Sequence, residues 1–221
     1  MTSWFGLALG WIGMLAGAGV QEPKDRWEKE IQAFERKDKA APPPEGGTVF
    51  VGSSNFARWS RLESDFKEFK AINRGFGGSC IPDVTRFIER IIVPYKPARI
   101  VLYGGPNEIS QGTTPEAAFK SFEEFVDKVH EKLPKAEIYA VSLKPAPSRA
   151  SIDAAFKKFN ALVLEKSKKD PGIRYIDIVP VFTKPDGTLR TELYVDDQLH
   201  MNRKGEEACI PAIRAALESG R

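Results

Sequence analysis

The chain is poor in histidine, with two in 221 residues, His130 and His200. It also holds only two cysteines, Cys80 and Cys209. So few cysteines exclude a disulfide-dense scaffold, and their spacing to each other and to the histidines fits no metal-ligand pattern. They read either as one disulfide, in an oxidising compartment, or as two small buried hydrophobes. Charge of one sign is not in excess either: 33 Lys and Arg face 30 Asp and Glu, a net +3. The densest basic cluster, Lys166 to Lys169, is interrupted by Ser167, followed by Asp170, and reads as a solvated helix end. No basic patch is interleaved with aromatics, so the usual footprint of a nucleic-acid binder is missing. The scattered carboxylates form no ligand cluster, and no metal or other cofactor is expected.

Charge is missing altogether between Trp4 and Val20. The run is apolar on every face and ends in the small residues Leu15-Ala16-Gly17-Ala18-Gly19, which suit a processing peptidase. Residues 1–20 therefore read as a signal peptide or an N-terminal anchor, marginally long enough to span a bilayer. No Lys or Arg precedes the run. Either reading exports the remainder, which would be periplasmic, secreted or membrane-anchored by its N-terminus, with no further membrane span.

Residues 21–221 read as a single domain, and 42% hydrophobic residues suffice for a sizeable core. Trp27, Ile31 and Phe34 recur at helical spacing, giving an amphipathic arm over 25–39. A Pro-rich linker over 41–47 ends it, because proline disfavours helix in the residue before it. Thr48-Val49-Phe50-Val51 follows as a short buried strand. Further strands are legible at Ile100 to Tyr103, Ile138 to Val141 and Ile173 to Ile176. Between them run helical stripes: Val84 to Ile92, Phe119 to Leu133 and Ile152 to Val163. A last helix starts at Asn202. Strands alternating with helices imply an α/β fold with a parallel sheet covered on both faces. Ligands of such sheets bind at the carboxyl ends of the strands.

Four loops lie at that rim. Gly52-Ser53-Ser54-Asn55 is either a plain helix cap or a strand tip presenting a hydroxyl nucleophile. The glycine-dense loop Asn73 to Ser79 can bring backbone N–H groups to an anion. It is neither a dinucleotide fingerprint nor a Walker loop. Gly104-Gly105-Pro106-Asn107-Glu108 is a turn that can aim a side-chain amide into the rim. Asp197-Gln198-Leu199-His200 offers an imidazole with a carboxylate able to reach back to its ring, whereas His130 lies in an ordinary helical stripe. Together these loops supply a nucleophile, N–H donors, and a base with its orienting acid, the set that acyl transfer needs.

The four blocks, in this order, resemble the SGNH (GDSL-type) hydrolases, a family of esterases and lipases, over roughly Trp27 to Ala216. The resemblance implies a three-layer α/β/α domain on a five-stranded parallel sheet of flavodoxin-like order 2-1-3-4-5. It places the nucleophile at Ser54, the base and its carboxylate at His200 and Asp197, and the oxyanion hole at Ser54, Gly78 and Asn107. Two positions depart from the pattern. Ser53 stands where an aspartate usually precedes the nucleophile and could attack in its place, and Glu108 replaces the acidic Asp after the asparagine.

The activity so implied is serine-dependent hydrolysis of short-chain carboxylic esters, O-acetyl groups on carbohydrates among them, through an acyl-enzyme. A carbohydrate-binding protein that kept the fold without the chemistry, and a thioesterase, are the alternatives. Phe76 reads equally as an acyl-pocket wall and as a buried loop residue, and Trp59 as core. Lys144 to Arg149 falls on the active rim. The connections are too short to supply a lid.

Overall fold

The computed structural model describes Met1 and residues 26–220. The apolar run from Trp4 to Val20, on which the export reading depends, lies outside the described residues. Five strands, β1 (Thr48–Gly52), β2 (Ala71–Gly75), β3 (Arg99–Tyr103), β4 (Glu137–Val141) and β5 (Ile173–Ile176), form one sheet of order β2-β1-β3-β4-β5. Every pairing is parallel. The interior strand β1 is buried along its whole length, as expected of a strand covered on both faces. Nine helices are described: α1 (Glu28–Ala40), α2 (Ser54–Ala57), α3 (Leu62–Asp65), α4 (Ile81–Ile91), α5 (Pro106–Ser110), α6 (Pro115–Lys132), α7 (Asp153–Lys169), α8 (Val179–Phe182) and α9 (Arg203–Ser219). Helices α1, α4, α6 and α7 pack side by side as one layer, and α9 packs with α8 and β5 in the other.

The helix starts follow local chemistry. Thr114 Oγ1 accepts from the Ala117 N–H at 3.2 Å, with Pro115 at the first helical position of α6. Asn202 Oδ1 accepts from the Gly205 N–H at 3.1 Å and starts α9. Val84, Phe87, Ile88 and Ile91 are the buried stripe of α4.

The edge strand β2 corrects the sequence reading, which placed Asn73, Arg74 and Gly75 in a loop. Polar residues hide this strand from a search for apolar runs. They are tolerated because each side chain is satisfied inside the fold. Arg74 is 1% exposed; its Nε donates to the Tyr95 hydroxyl at 2.8 Å and its Nη2 to Asp38 of α1. Asn73 Nδ2 donates to the Phe56 carbonyl at 2.7 Å. The arm is likewise an integral layer of the domain. Ile31 is fully buried, and Arg90 of α4 holds Glu28 and Glu35.

Register places the site. Gly52 pairs with Gly75 on one side and with Tyr103 on the other. Three strands therefore end at one level, and the loops after them open on one rim. Cys80 and Cys209 are free thiols. Burial pushes both up to about 12, so they are protonated and unreactive near neutral pH.

Candidate active site

Strand β1 ends in Gly52 at φ +137°, where a Cβ would fall 2.1 Å from the Tyr103 carbonyl oxygen. Only glycine lets the backbone turn this close to β3. Ser53 is extended and 1% exposed. Ser54 follows as the first residue of α2, half-buried on the rim.

The turn after Val195 brings in the imidazole. Gln198 adopts φ +52° and its N–H bonds the Val195 carbonyl at 2.9 Å. Asp197 Oδ1 accepts from the N–H groups of Leu199 and His200, each at 2.9 Å. Its Oδ2 lies 2.6 Å from His200 Nδ1, and His200 Nε2 lies 2.8 Å from Ser54 Oγ. Burial raises the Asp197 carboxyl, but the backbone and ring donors of His200 outweigh it and hold the group well below the usual carboxylate range. An ionised carboxylate only accepts, so Nδ1 carries the ring proton and the Nε2 lone pair faces the hydroxyl. Arg58 Nη1, 3.4 Å from Asp197 Oδ2, adds an exposed cation. Ser54, rather than Ser53, is the hydroxyl that the imidazole meets.

Asn107 sits in α5, which Gly105 opens at φ +109°. Its Nδ2 donates one hydrogen to the Ser79 carbonyl at 2.9 Å. Asn107 and Ser54 line one small cavity of about 10 Å³ with Tyr103, Phe156, Leu199 and Arg149. Gly78 is not among its lining residues. It lies at φ +76° on the β2–α4 loop, next to Ser79. Among the described residues, neither the Ser54 nor the Gly78 N–H has a backbone acceptor.

Glu108 is 5% exposed and accepts from the Ile81 N–H at the start of α4; burial raises its pKa. The longer acid thus ties the Asn107 helix to the helix that follows the glycine loop.

Three features escaped the sequence. Lys144 is 2% exposed, its Nζ donates to the Leu199 carbonyl at 2.6 Å, and burial lowers its pKa to about 7. Arg149 bonds the Asn107 side chain. The Trp27 indole N–H donates to the Gly77 carbonyl at 2.9 Å, so the arm braces the glycine loop. The only sequence signal was the position of Lys144 to Arg149 just after β4. Phe76 is 1% exposed and packs edge-on against Trp27 and Phe87, so it is core and not a wall of the site cavity. Trp59 is core too, at 1% exposed.

The sequence pattern of the GDSL-like lipase/acylhydrolase family matches residues 45–208, well over half of the chain. The chain belongs to this family. A GDSL-like acylhydrolase is an ester hydrolase by class, and the sheet order and parallel pairing are those expected of that fold. No curated protein matches the sequence. Similar solved structures include a GDSL-like lipase of Bacteroides thetaiotaomicron, with 20% identity, 86% of this chain and 98% of that one covered, and a TM-score of 0.71. A carbohydrate esterase family 3 protein of Talaromyces cellulolyticus shares 14% identity, over 78% and 97% of the chains, with a TM-score of 0.62. A serine-to-alanine variant of an acetyl esterase, holding an acetate ion, shares 14% identity over 78% and 97%, with a TM-score of 0.61.

Proposed function

We propose that this acylhydrolase removes short acyl groups, acetyl above all, from carbohydrates or other polar alcohols through an acyl-enzyme on Ser54. The observation that carries this reading is the imidazole of His200, seated between Ser54 Oγ at 2.8 Å and Asp197 Oδ2 at 2.6 Å. Serine is a weak nucleophile at its own pKa and needs an adjacent base. His200 takes the hydroxyl proton as Ser54 attacks the ester carbonyl, then returns it to the departing alcohol. Asp197 holds the ring in the useful tautomer and stabilises the imidazolium without taking the proton. The second hydrogen of Asn107 Nδ2, with the N–H groups of Ser54 and Gly78, receives the oxyanion. Water then repeats the attack on the acyl-enzyme with His200 as base.

The cavity beside the nucleophile supports a small acyl group. About 10 Å³ beside Ser54 and Asn107 admits one group of about the size of a water or methyl. The structural neighbours named as a carbohydrate esterase and an acetyl esterase support the same class. Export through residues 1–20 belongs to this proposal and is tested by cell fractionation of the full-length chain. The chemistry is tested by organophosphonate labelling and hydrolysis of p-nitrophenyl acetate. The label is expected on Ser54, and Ser54→Ala is expected to abolish turnover. Full activity in Ser54→Ala, or a label on Ser53, ends the assignment.

A further inference from the structure

Arg149 stands in the 3-10 turn Pro147–Ile152 that follows β4. Its Nη1 donates to the Pro106 carbonyl at 2.7 Å and its Nη2 to Asn107 Oδ1 at 3.3 Å. The guanidinium fork thus grips two successive residues of α5, one through the main chain and one through the side chain. Asn107 is held from its other end as well, by the bond from Nδ2 to the Ser79 carbonyl at 2.9 Å. With the amide oxygen and one amide hydrogen both engaged, the plane and the flip state of the group are fixed. One N–H remains, on a residue that lines the Ser54 cavity.

The turn that carries Arg149 is itself anchored to the histidine side of the site. The Ser148 N–H and Oγ donate to the Gln198 carbonyl at 3.2 and 3.0 Å. Lys144 Nζ reaches the Leu199 carbonyl, and the Tyr194 hydroxyl donates to the Pro145 carbonyl at 2.6 Å. Among the described residues, Arg149 has no carboxylate partner, although it is half-buried. Two neutral oxygens compensate a desolvated cation poorly.

We propose that Arg149 is a positioning residue of the hydrolytic reaction: it fixes the Asn107 amide with its free N–H on the oxyanion. The proposal rests on the roles of Ser54, His200 and Asn107 given above. Its signature is a dependence on Asn107. Truncating Arg149 lets the amide rotate, which weakens transition-state binding and leaves ground-state binding and the base untouched.

The test is a double-mutant cycle on p-nitrophenyl acetate hydrolysis with wild type, Arg149→Met, Asn107→Ala and the double variant. Arg149→Met is expected to lower kcat about tenfold or more, with KM within about twofold and an unchanged pH profile. Asn107→Ala removes one oxyanion donor, worth roughly 10²–10³ in turnover. In that background the Arg149 change is expected to add less than about twofold, because nothing remains to position. Arg149→Lys keeps the charge without the fork and is expected to fall between wild type and Arg149→Met. If Arg149→Met does not fold by circular dichroism, the same cycle is run with Arg149→Lys. Additive losses overturn the proposal, as does a raised KM at unchanged kcat, which would make Arg149 a substrate contact. Failure of the underlying reading looks different: wild type would be inert, or Ser54→Ala would remain active.

Discussion

Replacing Asp197 by Asn exchanges a single heavy atom, one carboxylate oxygen for an amide nitrogen, and the geometry dictates which way round the new amide sits. The N–H groups of Leu199 and His200 both point at Oδ1, each at 2.9 Å. An amide nitrogen in that place would face two donors, so the amide oxygen takes it. The nitrogen then occupies the Oδ2 position, 2.6 Å from His200 Nδ1. There it donates, and Nδ1 must accept. The ring proton moves to Nε2, which faces Ser54 Oγ at 2.8 Å and can no longer receive the hydroxyl proton. A tautomer error of this kind costs about 10⁴ in kcat, or about 5 kcal/mol of transition-state stabilisation. Both backbone bonds survive but lose their charged acceptor, so the thermal midpoint at pH 7 is expected to fall modestly, with the deficit shrinking toward pH 3. The acid limb of stability should differ. The native-state pKa of Asp197 is depressed, so its contribution is present above the unfolded value near 3.8 and is lost as pH falls below it. Asp197→Asn removes that dependence. The assay is steady-state hydrolysis of p-nitrophenyl acetate at pH 7–8, with thermal unfolding at pH 7 and pH 3 on the same preparations. A folded Asp197→Asn enzyme within tenfold of wild-type kcat would refute the relay.

Three other outcomes follow from the same coordinates. Gly52→Ala puts a Cβ at φ +137°, 2.1 Å from the Tyr103 carbonyl; a loss of roughly 3 kcal/mol or more, or failure to fold, is expected in urea unfolding, and a near-neutral result would show that the strand end can relax. Lys144 is almost fully buried with its pKa lowered to about 7, so the unfolded chain binds the extra proton between pH 7 and 10.5 and Lys144 makes stability rise with pH there. Comparing Lys144→Met with wild type by denaturant titration from pH 7 to pH 9, below the range in which tyrosines ionise, should show the rise flattened; parallel curves would count against a buried, depressed amine. Across p-nitrophenyl acetate, butyrate and octanoate, kcat/KM is expected to fall by roughly tenfold or more in total as the acyl chain outgrows the cavity. A profile that rises with chain length would exclude the acetyl-sized pocket.

Much of the fold was written in local patterns. The β-rich runs at Thr48, Ile100, Ile138 and Ile173 and the stripes between them specify alternating strands and helices, because burial on a period of two or of 3.6 is a property of neighbouring residues. The turn residues mark where those elements stop. What escaped is what burial of polar groups conceals. Strand β2 carries Asn73 and Arg74, whose side chains find partners in Phe56, Tyr95 and Asp38 from distant segments. No window of sequence around β2 contains those partners. Phe76 reads as a pocket wall or as core with equal ease until Trp27 and Phe87 are seen packed on it.

The sequence by itself determined the cast of the site. With two histidines, one of them in a helical stripe, the base could come from few places. Asp197, three residues before His200, could reach its ring through a single turn. The tertiary structure alone decided the meeting. Parallel register ends β1, β2 and β3 at one level, the loop after β4 holds the Gln198-Leu199 turn to that rim, and Ser54 and His200, 146 positions apart, lie within 2.8 Å. It alone decided the support as well, since Arg149 reaches Asn107 and Lys144 reaches Leu199 across loops that are remote in sequence. Local sequence encodes which chemistry each segment carries, whereas distances between segments arise only from the packing of the whole sheet.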